Sequence, residues 1–354
     1  MVIAKHAICS IQNKCYIVRL SKLLISHLHT EFILPKKAFH VKKNVNMKSR
    51  QNLSTHIQHK DYKIKYLHNK KYNVYKDIAK TKKICYNASM RVCNLASGSS
   101  GNCTFIESEN TKILIDNGKP LSYIFNALNE LGVALESIDA ILITHEHSDH
   151  IKGIEKFART YKTKIYAHVY LNEIIKNQIH IDPEQFYFFD TDFNIGDLHI
   201  QPFPLPHDSK FCVGYRVEEG DAIVSVCTDL GYFSDETFEA IKSSALVYLE
   251  ANYDPEMLMS YPNYPPFLKR RINGPKGHLS NLNCAKAIER LVHSGTRLVV
   301  LSHISEHSNT TNLAVSTVAN YLESRNIIPN VNIRLDIAHH EHRGTIFRIS
   351  PTNK

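Results

Sequence analysis

From residue 90 onward the sequence predicts an α/β (α+β) fold built on two mixed sheets. Three observations carry that expectation. Short apolar runs alternate with segments of helical spacing. Several neighbouring runs are separated only by tight turn signals, which places antiparallel hairpins among parallel crossovers. The composition also changes abruptly at residue 89. Residues 1–89 contain 19 Lys/Arg, three Asp/Glu, no glycine and only Pro35 of the 13 prolines; the remainder contains 24 Lys/Arg, 31 Asp/Glu and all 13 glycines. The formal charge of +9 therefore divides into +16 on a basic leader and −7 on an ordinary, mildly acidic domain.

The elements follow in order. Residues 90–95 read as a strand, and the small-residue stretch Ala-Ser-Gly-Ser-Ser-Gly-Asn over 96–102 as a tight loop. Strands are expected at 103–107 and 112–116. Leu121, Ile124, Phe125, Leu128 and Leu131 have helical spacing, and Gly132 stops that helix. A short apolar strand at 138–143 runs into Thr-His-Glu-His-Ser-Asp-His over 144–150. A helix at 152–161 and a strand at 164–168 follow. Further strands are expected at 198–204, 211–218, 222–227 and 246–250, with 261–276 read as a loop. A helix at 280–292 takes Ser280 or Asn281 as its N-cap. A strand at 298–302, a helix at 310–324 and closing strands at 331–337 and 344–349 complete the series.

Residues 1–89 show no sustained periodicity, although 17–34 could form a short basic amphipathic helix. Three readings compete: a basic arm for nucleic acid, a targeting presequence, or a segment outside the native protein whose Lys, Asn, Ile and Tyr reflect A/T-rich codons. The expectation is a leader that is disordered or not part of the native protein, with 90–354 as the working domain. No apolar run of membrane-spanning length exists and no secretory signal is present, so no membrane association is expected. Eight scattered cysteines without a C-x-x-C pair read as reduced thiols in the cytoplasm.

The chemistry concentrates in His145, His147, Asp149 and His150, four metal-ligand types within six residues at a strand end. On extended backbone, residues two apart point the same way, so His145 and His147 can share one ion. Asp149 and His150 lie further round the turn and suit a second. Glu146 and Ser148 read as solvent-facing fillers. Matching candidates recur at later strand ends: His207 after 198–204, Asp229 after 222–227, and His303 after 298–302. Histidine and carboxylate ligands without cysteine suit zinc, manganese or iron.

H-x-H-x-D-H, then a lone His, then T-D-x-G, then a lone His resembles the metallo-β-lactamase fold superfamily. Asn-Leu-Ala-Ser-Gly-Ser-Ser-Gly-Asn over 94–102, Leu-Glu-Ala-Asn-Tyr-Asp over 249–254 and Gly-His-Leu-Ser-Asn over 277–281 are similar to the YycJ/WalJ/VicX subfamily. The resemblance implies a four-layer αββα sandwich with two divalent ions, Zn²⁺ or Mn²⁺ with iron as an option, and a DNA-processing exonuclease activity. Carried over by position, His145, His147 and His207 hold one ion, Asp149, His150 and His303 the other, and Asp229 bridges. Asp116 matches the superfamily's first motif and supports a ligand from behind. His278 is open between an extra ligand, a donor to a phosphate oxygen or leaving group, and a plain loop histidine.

Two ions about 3.5–4 Å apart can activate a hydroxide and clamp an in-line phosphoryl displacement. Asp149, Asp229 and His278 are the catalytic candidates. Lys269, Arg270, Arg271 and Lys276 could meet nucleic-acid phosphates, or form a solvated loop. The acidic domain weighs against broad DNA binding, so small-molecule thioester or lactone hydrolysis is a rival. A non-enzymatic relative is disfavoured by the complete ligand set, and no G-x-S-x-G elbow supports a serine hydrolase. Only 73 residues separate Asp229 from His303. That leaves no room for the inserted domain of the ribonuclease J type, while ribonuclease Z-like RNA processing stays open. Oligomeric state is not specified by the sequence.

Overall fold

Residues 90–350 are described by the computed structural model; the expectations for the leader lie outside the described residues. β1 (Met90–Ala96), β2 (Cys103–Glu107) and β3 (Lys112–Ile115) form an antiparallel meander, with a register shift between Asn94 and Ala96. β4 (Ala140–Leu142), β5 (Lys164–His168) and β6 (Phe186–Phe189) then add in parallel. Parallel neighbours need crossovers. These are α1 (Leu121–Glu130), the short α2 (Ser148–Ile151) with α3 (Ile154–Tyr161), and α4 (Asn172–Gln178).

The second sheet repeats that plan. β7 (Phe193–Ile195), β8 (Leu198–Leu205), β9 (Cys212–Glu219) and β10 (Ala222–Cys227) are antiparallel. β11 (Leu246–Glu250), β12 (Leu298–Ser302) and β13 (Arg334–Ile337) continue in parallel. Between them run α5 (Asp235–Ile241), α6 (Pro255–Ser260), α7 (Pro266–Ile272), α8 (Asn281–His293) and α9 (Thr311–Ser324). β14 (Phe347–Ile349) returns to the first sheet and pairs with β1, Met90 opposite Ile349. Among the described residues each sheet thus has seven strands, in the orders β14-β1-β2-β3-β4-β5-β6 and β13-β12-β11-β10-β9-β8-β7.

Side-chain alternation sorts the core into layers. Val92, Ile106, Ile113 and Leu142 of the first sheet pack with Val213, Tyr215, Val224 and Tyr248 of the second. Cys93, Leu95 and Phe105 face the other way, against Ile124 and Leu128 of α1 and Phe157 of α3. On the outer side of the second sheet, Val247, Leu249 and Val299 pack on Ile288 of α8 and Val318 of α9. Strands covered on both faces lose the polar–apolar alternation, which explains their continuous apolar runs. The result is the αββα sandwich expected.

Several boundaries differ from expectation. The helix expected over 152–161 is split, because Gly153 donates its N–H to Asn117 O (2.8 Å) and a side chain there would meet Lys119 O. Residues 261–276, read as a loop, contain α7; Pro266 at its first turn presets φ and a glycine-free run carries it on. α4, α5, α6, β6 and β7 were not anticipated. At the start of α8, Ser280 rather than Asn281 is the cap, its Oγ accepting from Asn283 N. Gly132 stops α1 in the left-handed region at φ 69°, with Val133 N returning to Leu128 O. Cys93, Cys103, Cys212, Cys227 and Cys284 are free and buried. Among the described residues no helix is long and apolar enough to cross a membrane.

Candidate metal centre

The strand ends converge at one edge of the two sheets. Tyr215 on β9 donates its hydroxyl to Ile143 O (2.6 Å), and Val213 N reaches Thr144 O (3.1 Å). The segment leaving β4 is thereby tied to the second sheet. Asp116, directly after β3, accepts from Thr144 N (2.9 Å) and Thr144 Oγ1 (2.8 Å), which sets the direction in which 145–150 departs. Asp116, Asp229 and His303 each follow a strand in the left-handed region, at φ 60°, 66° and 52°. Such backbone costs of order 1–3 kcal/mol at a non-glycine residue and marks positions held by their surroundings.

His145, His147 and His207 turn one ring nitrogen each toward a common point. His145 Nε2 lies 3.0 Å from His147 Nδ1, and His207 Nε2 lies 3.4 Å from the same atom. The far side of each ring is engaged where the fold supplies an acceptor. His207 Nδ1 donates to Gly277 O (3.1 Å), which leaves Nε2 as the inward lone pair. Thr144 Oγ1, its own hydrogen given to Asp116, accepts from His145 Nδ1 at 3.0 Å. Burial, and then the neighbouring imidazoles of His150, His207 and His147, depress the His145 pKa well below its usual value. Burial also lowers that of His207. Neutral imidazoles with converging lone pairs suit a cation and little else.

The second grouping is anionic. His150 Nδ1 donates to Asp116 Oδ2 (2.7 Å), while its Nε2 faces Asp149 Oδ2 (3.3 Å) and Asp229 Oδ2 (3.4 Å). His303 Nδ1 donates to Glu250 Oε1 (2.7 Å) and lies 3.2 Å from Asp229 Oδ1. Its Nε2 lies 3.8 Å from Asp149 Oδ2. His145, His150 and Asp229 also form a triad of their own within 4.8 Å, which joins the two groupings. Burial opposes charge on His150 and His303, yet Asp116, Asp229 and Asp149 raise the first and Asp229, Asp149 and Glu250 the second. Burial would raise the Asp149 and Glu250 carboxyls, but His150 and His303 beside Asp149, and His278 and His303 beside Glu250, hold both well below the usual range. The cleft therefore favours positive charge at the place where a divalent ion competes with protons.

Two buried atoms test the fit of a metal. Asp229 Oδ2 and His303 Nε2 have no hydrogen-bond partner among the described residues. An unpartnered carboxylate oxygen and imidazole nitrogen in one cleft are costly unless a ligand satisfies them. The nitrogen and oxygen donors, without sulfur, fit zinc, manganese or iron.

All seven sequence-expected ligands thus meet at this centre, with Asp116 behind His150. His278 joins at the rim, its side chain 20% exposed and its Nδ1 2.8 Å from Glu250 Oε1. The basic residues do not join it as a set. Arg271 forms a two-pronged ion pair with Asp208, and Lys269 Nζ donates to Met259 O (2.5 Å). Arg270 and Lys276 are exposed. Glu146 is no mere filler, since its Oε1 accepts from Lys210 N at 2.7 Å and fastens the ligand loop.

Sequence reasoning missed Glu250, which also accepts from Leu230 N (3.0 Å) and Leu279 N (3.1 Å). A carboxylate ending the apolar run 246–250 was the available signal. It also missed Asn102, whose Nδ2 lies 3.2 Å from Asp149 Oδ2 and 3.0 Å from His150 Nε2. Asn252, donating to His303 O (2.8 Å), was missed too.

Comparison with known proteins agrees with this geometry. A profile described as a β-lactamase superfamily domain matches residues 111–304. Exodeoxyribonuclease WalJ of Streptococcus pneumoniae serotype 2 is 35% identical over 246 residues, 68% of this chain and 91% of that protein. Exodeoxyribonuclease YycJ of Bacillus anthracis is 32% identical over 237 residues, 65% of this chain and 88% of that protein. The crystal structure of the metallo-β-lactamase fold protein YhfI from Bacillus subtilis superposes with a TM-score of 0.55 at 18% identity, covering 73% of this chain and 99% of that one. With the sandwich, the strand-end donors and these relatives together, the chain belongs to the β-lactamase superfamily, in its metallo-β-lactamase fold.

Proposed function

We propose that residues 90–354 form a metal-dependent phosphodiesterase that degrades DNA as an exonuclease. The observation that carries this reading is the pair of donor groupings joined through His145, His150 and Asp229. The names of the WalJ and YycJ relatives supply the substrate class. In this reading His145, His147 and His207 hold one zinc or manganese ion, Asp149, His150 and His303 hold a second, and Asp229 lies between them. Divalent ions bound there supply Lewis-acid stabilisation of a phosphoryl group and lower the pKa of water. Asp116, Thr144 and Glu250 fix the ring orientations, as carboxylates behind ligating histidines do.

His278 acts as a proton donor. With Nδ1–H given to Glu250, the imidazolium form of His278 carries its second N–H on the partly exposed Nε2, which passes that proton to the departing oxygen of a cleaved phosphodiester and is left as the neutral ring. His278→Ala is expected to slow DNA hydrolysis by about 10²–10⁴-fold. Bis(4-nitrophenyl) phosphate, whose leaving group needs no proton, should be hydrolysed at nearly the parental rate, with metal content unchanged. Equal losses on both substrates would remove the proton-donor role.

The whole reading is tested on one preparation of the full chain loaded with Mn²⁺ or Zn²⁺. Expected are stepwise degradation of end-labelled DNA, its loss on chelation and its return on adding metal. Brisk hydrolysis of a thioester with no degradation of DNA would overturn it in favour of a small-molecule hydrolase. Cleavage of RNA alone would point to RNA processing.

A further inference from the structure

The expected phosphate-binding residues, Lys269 to Lys276, are partly consumed by Asp208 and Met259 O, so a DNA strand needs another seat. The geometry points to α3 and the turn before it: we infer that Lys152, Lys156 and Arg159 form a phosphate-binding track that seats a DNA strand beside the loop of residues 145–150. This rests on the phosphodiesterase reading above.

Two hollows of about 580 Å³ each lie end to end beside α3, sharing Arg159 and Ile179 in their walls. The first begins at Glu146 and Ser148, inside the loop that carries His145, His147, Asp149 and His150. The groove therefore abuts that loop on the side of Glu146 and Ser148. Lys152, Lys156 and Arg159 line the first hollow, and Lys162 and Lys176 extend the series through the second. Lys156 and Arg159, three residues apart, stand on one face of α3, and Lys152 lies on the turn just before it.

Charge separates this surface from an ordinary solvated helix face. Residues 90–354 carry a net −7, so five cations along one groove run against the local average. Of the acids in its walls, Glu146 and Asp182 accept backbone N–H groups of Lys210 and Glu184, and Glu155 pairs with Arg159 on the exposed surface, an i,i+4 pair that a phosphate would have to displace. Among the described residues none of the four lysines has a carboxylate within 4.0 Å. Opposite them, Ile154, Phe157 and Ala158 are buried in the outer core, so the cations ride on a rigid element.

The test compares the full chain with Lys152→Gln/Lys156→Gln/Arg159→Gln, each also carrying Asp229→Asn so that bound DNA is not degraded. Binding of a fluorescent single-stranded oligonucleotide is followed by anisotropy across a salt series. Every cation–phosphate pair removed should flatten the plot of log K against log salt by about 0.7, so the triple variant should lose about 2 in slope and roughly tenfold or more in affinity. With Asp229 restored, the triple variant should degrade DNA slowly yet hydrolyse bis(4-nitrophenyl) phosphate at the parental rate. An unchanged slope and affinity would overturn the track while leaving the hydrolase reading intact. An altered slope in a chain that hydrolyses neither substrate would keep the track and discard the phosphodiesterase. A fall in bis(4-nitrophenyl) phosphate hydrolysis would place these residues in the catalytic fold and overturn a purely electrostatic role.

Discussion

Asp229→Ala is expected to abolish DNA hydrolysis in the full chain, with a fall of about 10³-fold or more in kcat/KM. Asp229 is buried, is within 3.4 Å of both His150 and His303, and belongs to the triad joining the two donor groupings. Removing it takes away the carboxylate that faces both His150 and His303, leaving Asp149 and Glu250 as the nearest acids in the cleft. Metal catalysis of this kind contributes several kcal/mol, and each 1.36 kcal/mol is a factor of ten in rate. Metal content by mass spectrometry should fall below that of the parent, while far-UV circular dichroism stays the same. A variant that kept parental activity at full metal content would show that Asp229 is no ligand.

Gly118→Ala should be strongly destabilising. A Cβ on Gly118 would stand 1.8 Å from Asp149 O and 2.4 Å from Asp149 C, and 2.9 Å from Gly101 Cα. All three are backbone atoms, so no rotamer change relieves the clash. The turn bearing Asp149 and His150 must move, or residues 116–119 must. Overpacking of this sort costs about 1–3 kcal/mol and occasionally more. At roughly 2–4 °C per kcal/mol, thermal unfolding should drop by about 5–10 °C. Metal affinity should fall together with stability. Gly220→Ala is the control: its Cβ meets nothing within 4 Å, and only the positive φ of 57° opposes it. If both variants melted alike, the close approach of Gly118 to the ligand turn would carry no energy.

How far the sequence could be read depended on whether a signal was local. The candidate donors could be read because H-x-H-x-D-H is dense and follows an apolar run, and His207, Asp229 and His303 follow later strands. The two-sheet architecture followed from strands that lose polar alternation when covered on both faces. Glu250 was hidden because its role exists only once β11, β12 and the segment before α8 bring His303 and His278 to it from 53 and 28 residues away. Arg271 misled for the same reason, since its partner Asp208 lies 63 residues distant. α4, β6 and β7 are short and owe their form to tertiary packing more than to periodicity. The spacing of Lys152, Lys156 and Arg159 was visible, but a cationic stripe means little until a groove is seen beside it.

The pairing of β14 with β1 has a consequence for synthesis on the ribosome. The first sheet begins with residues that emerge early, yet its edge is closed by a strand of residues 347–349, which emerges after all seven proposed ligands. Until then β1 offers a row of unpaired backbone groups to any neighbouring chain. A translation complex halted after His303 holds all seven expected ligands and an open sheet, so the metal centre can be complete in composition before the fold is protected. Protection against misassembly arrives last, with the carboxyl-terminal strand.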